Sequence, residues 1–306
     1  MAEKLLILSP VYNDWQSYTK LIDKIIECFS LTPNYQIEFL CIDDCSDTYQ
    51  DFHIGAIPLR KICLNRNEGH QKAIALGIAY AVSNIGFDKL VVMDADGEDD
   101  PLDIQRLLNQ YREDAVVFAK RKRRTETFIF KIFYRAYKVL FYLLTGKKIA
   151  FGNFSVLSYK TALKLIHDRD LFINYSSCIL NNKIEFVLVD TNRSKRYFGK
   201  SKMNYHGLIL HGLGAISIHI ERVSTRLLMI ASFTGITALI GILVVLYIKI
   251  FTDNAVPGWA TNFISSLILI IFQTIIMSLL LTFIILNRKT QKAVIPFTDY
   301  SQYLNR

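Results

Sequence analysis

Through residue 119 the chain alternates short apolar runs with amphipathic stretches. Mostly apolar runs at residues 4–9, 37–42, 59–64, 90–93 and 115–119 predict strands. Between them, residues 15–30 place Leu21, Ile22, Ile25, Ile26 and Phe29 on one helical face. Residues 69–83 and 101–111 read as further helices, the last with Pro101 at its start, where proline is tolerated. Apolar runs without alternation mark strands buried on both faces. Strands that alternate with helices predict an α/β domain whose mostly parallel sheet is covered by helices.

The pattern changes after Ala119. Residues 120–124 read Lys-Arg-Lys-Arg-Arg, and residues 127–144 are aromatic and basic. Lys131, Arg135 and Lys138 fall on one helical face of that stretch, with Ile129, Ile132, Phe133, Ala136, Leu140 and Leu143 around the rest. This composition predicts a helix lying in a membrane interface, with a surface helix packed on the sheet as the alternative. A polar turn around Gly152-Asn153, a helix at 160–167, a strand at 184–189, a basic stretch at 193–205 and a helix at 207–222 follow. Then come two stretches, 227–248 and 263–286, without a charged residue. Each meets the roughly 20 residues needed to cross a bilayer core. The link between them holds Pro257, Gly258 and Trp259. A helical hairpin that crosses twice, at about 227–250 and 263–286, is the expectation.

Charge sets the orientation. Nearly all Lys and Arg lie before the first apolar stretch or after the second, whereas the link holds Lys249 alone. The positive-inside rule therefore puts both termini in the cytoplasm. Leu5-Leu6-Ile7-Leu8 is too short for the core of a signal peptide. A net charge of +9 suits a protein lying against an anionic leaflet. No nucleic-acid recognition motif accompanies that charge, so nucleic acid is not an expected partner. Cys28, Cys41, Cys45, Cys63 and Cys178 lack zinc spacing and read as free cytosolic thiols.

The candidate chemistry gathers at predicted strand ends. Leu90 to Met93 run straight into Asp94-Ala95-Asp96-Gly97-Glu98. On an extended backbone, carboxylates spaced by two can point the same way. Ligands of open α/β sheets bind just outside the carboxyl ends of the strands. Hard oxygen donors there suit Mg²⁺ or Mn²⁺ held together with substrate phosphates. A lone Asp-X-Asp equally describes a solvated acidic turn. Two further polar clusters, Ser9-Pro10-Val11-Tyr12-Asn13-Asp14 and Asp43-Asp44-Cys45-Ser46, also sit at strand ends and could share that crevice to accept hydrogen bonds from a ribose or a base. Arg121, Arg123 and Arg124 offer opposing charge to a diphosphate or to lipid headgroups. Gly199-Lys200-Ser201 is no P-loop, because Ser194 stands where that motif needs glycine. There is no Gly-X-Gly-X-X-Gly, and the six histidines lack metal spacing. His206 and His211 read as polar positions on an interfacial helix.

Taken in order, six motifs resemble those of the family 2 glycosyltransferases of GT-A fold. They are Pro10-Val11-Tyr12-Asn13, Asp43-Asp44-X-Ser46, Asn67-X-Gly69 with Ala73 and Gly77, Asp94-Ala95-Asp96, Asn153-Phe154-Ser155 and Arg196-X-X-Gly199-X-Ser201-Lys202. The resemblance is to the membrane-anchored polyprenyl-phosphate branch, typified by dolichyl-phosphate mannose synthase, and covers essentially the whole chain. It implies a Rossmann-like, mostly parallel sheet with flanking helices, then interfacial helices and the membrane hairpin. Residues 1–125 would form the nucleotide-sugar and metal-binding half, 126–226 the acceptor side, and 227–306 the anchor with a cytoplasmic tail.

The same resemblance implies roles. Pro10, Tyr12, Asn13, Asp43, Asp44, Lys72 and Asp94 would bind the donor, a nucleoside-diphosphate sugar. Asp94, Asp96 and Glu98 would hold Mg²⁺ or Mn²⁺. Asp96, Arg121, Arg124 and Lys202 would carry catalysis, and Asn153, Arg196, Ser201 and Lys202 would meet the acceptor, a polyprenyl phosphate. Membrane lipids are further partners, and a second copy of the chain is left open. Cys45 replaces the usual Gly and Glu98 the usual Gln, so the site carries one more negative charge. The Gln-X-X-Arg-Trp motif of processive synthases is absent. The expected reaction is an inverting, metal-dependent transfer. Transfer to a lipid-linked sugar or glycolipid hydroxyl, and a catalytically silent membrane adaptor, are the alternatives.

Overall fold

The computed structural model describes residues 2–30, 34–48, 57–121, 128–148, 151–192, 194–199, 205–252, 258–291 and 293–305. Two compact units make up the chain: Met1–Val139 with Lys147–Ile218 and Ala293–Arg306, and Leu140–Gly146 with His219–Lys292. The elements in order are β1 (Glu3–Val11), α1 (Trp15–Phe29), β2 (Tyr35–Asp43), β3 (Leu59–Cys63), α2 (His70–Asn84), β4 (Lys89–Val92), α3 (Pro101–Leu108), β5 (Ala115–Arg121) and α4 (Phe128–Thr145). They continue with β6 (Ser155–Ser158), α5 (Tyr159–Leu165), α6 (Tyr175–Asn181), β7 (Glu185–Thr191), α7 (Tyr205–Ser217), α8 (Ile220–Phe251) and α9 (Trp259–Thr290).

The first unit is an α/β fold with helices on both faces of a mostly parallel sheet. Its seven-stranded sheet runs β3-β2-β1-β4-β6-β5-β7. The apolar strand runs bury both faces. Leu90 and Val92 of β4 join Leu6, Leu8, Leu40 and Ile42 against Ile74 and Leu76 of α2. Val91 and Met93 join Leu5, Ile7 and Phe39 against Leu21 and Ile25 of α1 and Ile104 and Leu107 of α3. Burying each such side chain stabilises the fold by about 1.5–3 kcal/mol. Gly77 lets α2 sit closer than any other residue would, because a Cβ there would fall 2.4 Å from Leu8 Cδ1.

Topology places the site. β1 pairs in parallel with β2 on one side and with β4 on the other. A crevice therefore opens between the carboxyl ends of β1 and β4, where such folds bind ligands. β6 stands antiparallel to both β4 and β5, and β7 is parallel to β5. The two reversals return β5 and β7 to the direction of β4. The carboxyl ends of β1, β2, β4, β5 and β7 thus share one edge of the sheet. The expected halves 1–125 and 126–226 contribute strands to this one sheet. Sequence reasoning gave no strand at β6, whose four residues begin and end in serine and follow a polar turn.

In the second unit, α8 and α9 are 32 residues each and extend beyond the expected spans on both sides. Both are long and apolar enough to cross a membrane. Phe233, Ile240, Leu243, Phe272, Leu279 and Phe283 are all more than half exposed. Aqueous solvent would penalise such a surface, whereas lipid does not. The expected helix at 207–222 is instead α7 and the start of α8. Arg226 Nη1 donates to the carbonyls of Leu143 at 2.6 Å and Tyr142 at 3.3 Å, satisfying the last turn of α4. Within the tail that follows the second apolar helix, residues from Ala293 onward belong to the first unit.

Candidate active site

β4 delivers Asp94 and Asp96 to the crevice beside β1. The Glu98 N–H donates to Asp96 Oδ1 at 2.9 Å, closing a tight turn through Gly97, whose φ is +81°. Asp96 Oδ2 accepts from Arg196 Nη1 at 2.9 Å. The same guanidinium pairs through Nη2 with Asp14, in the loop after β1, and donates from Nε to the Phe198 carbonyl at 2.8 Å. The backbone strengthens this clamp. The Tyr197 N–H donates to the Asp96 carbonyl at 3.0 Å and the Ser194 N–H to the Glu98 carbonyl at 2.9 Å. The Tyr197 ring fills the space over Gly97, where a Cβ would lie 2.3 Å from it. Lys20 and Lys24 of α1 face that ring at 5.2 and 5.0 Å. The segment at 194–199 is therefore tied to the acidic turn from both backbone and side chains.

Charge is concentrated here. Burial, then the neighbouring Asp94, raise the Asp96 carboxyl to about 6, against the opposing pull of the Glu98 N–H and Arg196. Asp94 Oδ1 lies 3.1 Å from His70 Nε2 at the first turn of α2. Burial opposes a charged imidazolium, but Asp94, Asp96 and Asp44 outweigh it and lift the His70 pKa above its ordinary value. Asn153 Nδ2 meets His70 Nε2 at 2.9 Å. The Tyr175 N–H donates to Gln71 Oε1 at 2.8 Å, so Gln71 Nε2 faces and donates to Asn153 Oδ1 at 3.1 Å. Ser155 Oγ bonds the Asn153 carbonyl at 2.9 Å and Tyr175 Oη at 2.8 Å. Asn153 is thus placed beside His70 and Asp94.

The second polar cluster shapes the crevice from the β2 side. Asp44 Oδ1 and Oδ2 accept from the N–H groups of Glu68 at 2.7 Å and Gly69 at 3.0 Å, fixing the approach to α2. Asp43 Oδ1 accepts from the Ser46 N–H at 2.9 Å, and Lys61 Nζ lies 3.5 Å from Asp43 Oδ2. Asn13, at φ 51°, exchanges hydrogen bonds with Asp47 at 2.7 and 2.8 Å, stitching the β1 and β2 loops together. Pro10 is buried in β1, while Tyr12 is exposed just beyond. Lys72 Nζ pairs with Glu68 at 2.5 Å and lies 4.2 Å from the Tyr303 ring.

Arg124, Ser201 and Lys202 lie outside the described residues, as does the Arg121 side chain. The backbone of Arg121 ends β5 in register with Thr191 of β7. β5 and β7 therefore end side by side at the acidic edge. Asp14 is the last residue of the polar cluster expected after the first strand, whereas His70 and Gln71 were not singled out in the sequence. They follow the Asn67-X-Gly69 motif, so proximity to that motif was the available signal. His211 of α7 also turns inward. Its Nε2 is 3.4 Å from Asn174 Nδ2, and burial, then His70, lower its pKa.

The crevice sets Asp94 and Asp96 at the carboxyl edge of an α/β sheet. The chain belongs to glycosyl transferase family 2, whose model matches residues 6–172, more than half of its length. It is 29% identical over 286 residues to the uncharacterized glycosyltransferase YkcC of Bacillus subtilis (strain 168), covering 86% of this chain and 82% of that one. It is 26% identical over 289 residues to the undecaprenyl-phosphate 4-deoxy-4-formamido-L-arabinose transferase of Enterobacter sp. (strain 638), covering 89% and 84%. Among solved structures, it is similar to mannosyl-3-phosphoglycerate synthase from Rubrobacter xylanophilus at TM-score 0.47 and 14% identity, over 73% of this chain and 75% of that one.

Proposed function

We propose that this enzyme transfers a sugar, with inversion, from a nucleoside-diphosphate donor to a polyprenyl phosphate at the cytoplasmic membrane face. The observation that carries this reading is the pairing of Arg196 with Asp96 and Asp14. It joins the candidate metal turn to the segment that leads into the membrane-directed helices. The similarity to an undecaprenyl-phosphate transferase supports the acceptor class.

Asp94 and Asp96 suit a divalent cation. Among the described residues no three His, Cys, Asp or Glu side chains converge as a complete metal cage. Mg²⁺ commonly takes only one or two carboxylates and completes its shell with water and substrate phosphates. The raised Asp96 carboxyl marks negative charge that a cation would relieve. Glu98 stands next in the same turn and would add a third oxygen ligand. Bound there, Mg²⁺ or Mn²⁺ would act as a Lewis acid on the departing diphosphate. Pro10, Tyr12, Asn13, Asp43 and Asp44 would frame the nucleoside. Arg121, Arg124, Ser201 and Lys202 would supply charge and hydrogen bonds to phosphates, with Asn153 beside the sugar and Lys72 bracing the donor loop. With a cation held by Asp96, the Arg196 guanidinium would be available to the acceptor phosphate, where its planar fork is well matched. An acceptor phosphate is already an anionic nucleophile, so positioning suffices without a dedicated base.

The membrane reading has its own support. Residues on both sides of the apolar hairpin belong to the first unit. A compact unit lies on one side of a bilayer, which requires an even number of crossings. Exposed Val139, Leu143, Ile209, Leu210 and Leu213 on α4 and α7 suit helices lying in the interface. Calorimetry with UDP and GDP in the presence of Mn²⁺ tests the donor site: metal-dependent binding of one nucleotide is expected, and binding of neither would overturn it.

A further inference from the structure

The chain that leaves α9 adds itself to the catalytic sheet. Leu304 forms an antiparallel bridge with Leu64, just past the edge strand β3. The Asn65 N–H donates to the Tyr303 carbonyl at 2.9 Å and the Asn305 N–H to the Cys63 carbonyl at 2.8 Å. Asn65 Nδ2 adds a bond to the Gln302 carbonyl at 3.0 Å. Further along, Tyr300 accepts from Asn84 Nδ2 at 3.1 Å and sets its ring edge-on to Tyr80. The Phe297 N–H donates to the Ile166 carbonyl at 3.0 Å. Pairing a strand edge in this way satisfies backbone groups that would otherwise face solvent.

What this segment covers is the loop that feeds α2. Lys72 Nζ sits 4.2 Å from the Tyr303 ring centroid and 5.6 Å from that of Phe172, while pairing with Glu68 at 2.5 Å. Asp44 holds the Glu68 and Gly69 N–H groups from the opposite direction. Gly69 has φ +88°, and the next residue, His70, meets Asp94 at 3.1 Å. The loop at 65–72 is therefore gripped by Asp44 on one hand and by Tyr303 with its neighbours on the other, and it delivers the imidazole to the acidic turn.

We propose that Tyr303 is a positioning residue of the donor site, and that the segment around it sets where His70 holds Asp94. This rests on the reading of Asp94 and Asp96 as metal ligands. Tyr303 acts through Lys72, Glu68 and the loop, touching neither cation nor substrate. An aromatic face under a lysine attracts it through the ring quadrupole, more strongly as the pair is desolvated. Loss of a group that orients a metal ligand commonly weakens metal binding about 10–100-fold.

The test uses the full chain in nanodiscs, with Mn²⁺ alone as the probe, followed by electron paramagnetic resonance, and hydrogen exchange measured over residues 64–72. Tyr303→Ala should speed exchange across that loop and weaken Mn²⁺ binding about tenfold. Tyr303→Phe, which keeps the ring, should restore both. If Tyr303→Ala does not fold, Tyr303→Leu retains apolar bulk beside Phe172 without the aromatic face and should show the same two effects. Faster exchange with unchanged Mn²⁺ binding would overturn the proposal, reducing the segment to a stabilising strap. Unchanged exchange would overturn it as well. Wild-type protein that binds no Mn²⁺ would instead remove the metal reading itself, and the proposal with it.

Discussion

Arg196 donates from Nη1 to Asp96 Oδ2 at 2.9 Å, across a separation of 100 residues. The guanidinium is only 17% exposed and also pairs with Asp14. A single basic side chain thus pairs with one acid after β1 and another after β4. Removing it would leave two half-buried carboxylates without their counter-ion. Arg196→Ala is expected to lower kcat/KM by about 10²-fold or more, in line with loss of one preorganised donor to developing charge. Arg196→Lys should recover little, because an ammonium cannot span both acids with a planar fork. Steady-state kinetics of the two variants provide the check, and near-complete rescue by lysine would argue for a simple charge effect.

Asp96→Ala should abolish metal-dependent turnover while the protein still inserts into membranes. Chelation with EDTA should do the same to wild-type enzyme, reversibly on adding Mg²⁺ or Mn²⁺. Wild-type rates from Asp96→Ala would remove Asp96 from the reaction.

His70→Ala removes the imidazole that stands 3.1 Å from Asp94 Oδ1. Metal affinity or activity is expected to fall about 10–100-fold. Titration with Mn²⁺ in the two proteins separates this from a folding defect, since circular dichroism should be unchanged.

Gly97→Ala is expected to disturb the clamp over the acidic turn. A Cβ would lie 2.3 Å from the Tyr197 ring, and φ of +81° is unfavourable for any L side chain. Displacement of Tyr197 should loosen residues 194–199, read as faster hydrogen exchange there, with a loss of about 1–3 kcal/mol in stability.

Glu38 supplies a pH-dependent contribution to stability away from the site. It is 5% exposed and is held by Arg60 at 2.6 Å and Lys4 at 3.1 Å. Burial pushes its carboxyl up, but the bonds and charges of Arg60 and Lys4 prevail and its pKa lies below the ordinary value. A depressed carboxylate stabilises the fold above the unfolded pKa, about 4.3, and loses that contribution as pH falls through the folded value. Glu38→Gln should therefore cost about 1.5–3 kcal/mol near neutral pH. Thermal midpoints of the two proteins should converge as the pH drops below about 4.

Much of the fold was legible because strand and helix periods are explicit in the first half. Leu90 to Met93 bury both faces, as an unbroken apolar run implies. The membrane helices were legible from the absence of charge. β6 was hidden because Ser155 and Ser158 bury their hydroxyls through Tyr175 and Glu113, bonds that only the folded chain creates. The candidate site was legible as motifs but not as a network. Asp44 reads as a ligand-binding acid, yet in the fold both its oxygens grip the loop before α2. His70 and Gln71 join Asp94 and Asn153 only because distant parts of the chain meet there, and no period or spacing in the sequence reveals it.

Full-length protein in nanodiscs, given Mg²⁺ or Mn²⁺, a panel of nucleoside-diphosphate sugars and undecaprenyl phosphate, puts the proposed reaction to its most direct trial when the lipid fraction is read by mass spectrometry. The expected result is a glycosylated undecaprenyl phosphate from at least one donor, absent with EDTA and absent with Asp96→Ala. Product only when a lipid-linked sugar or glycolipid is supplied, or no glycosylated lipid with any donor, would contradict it.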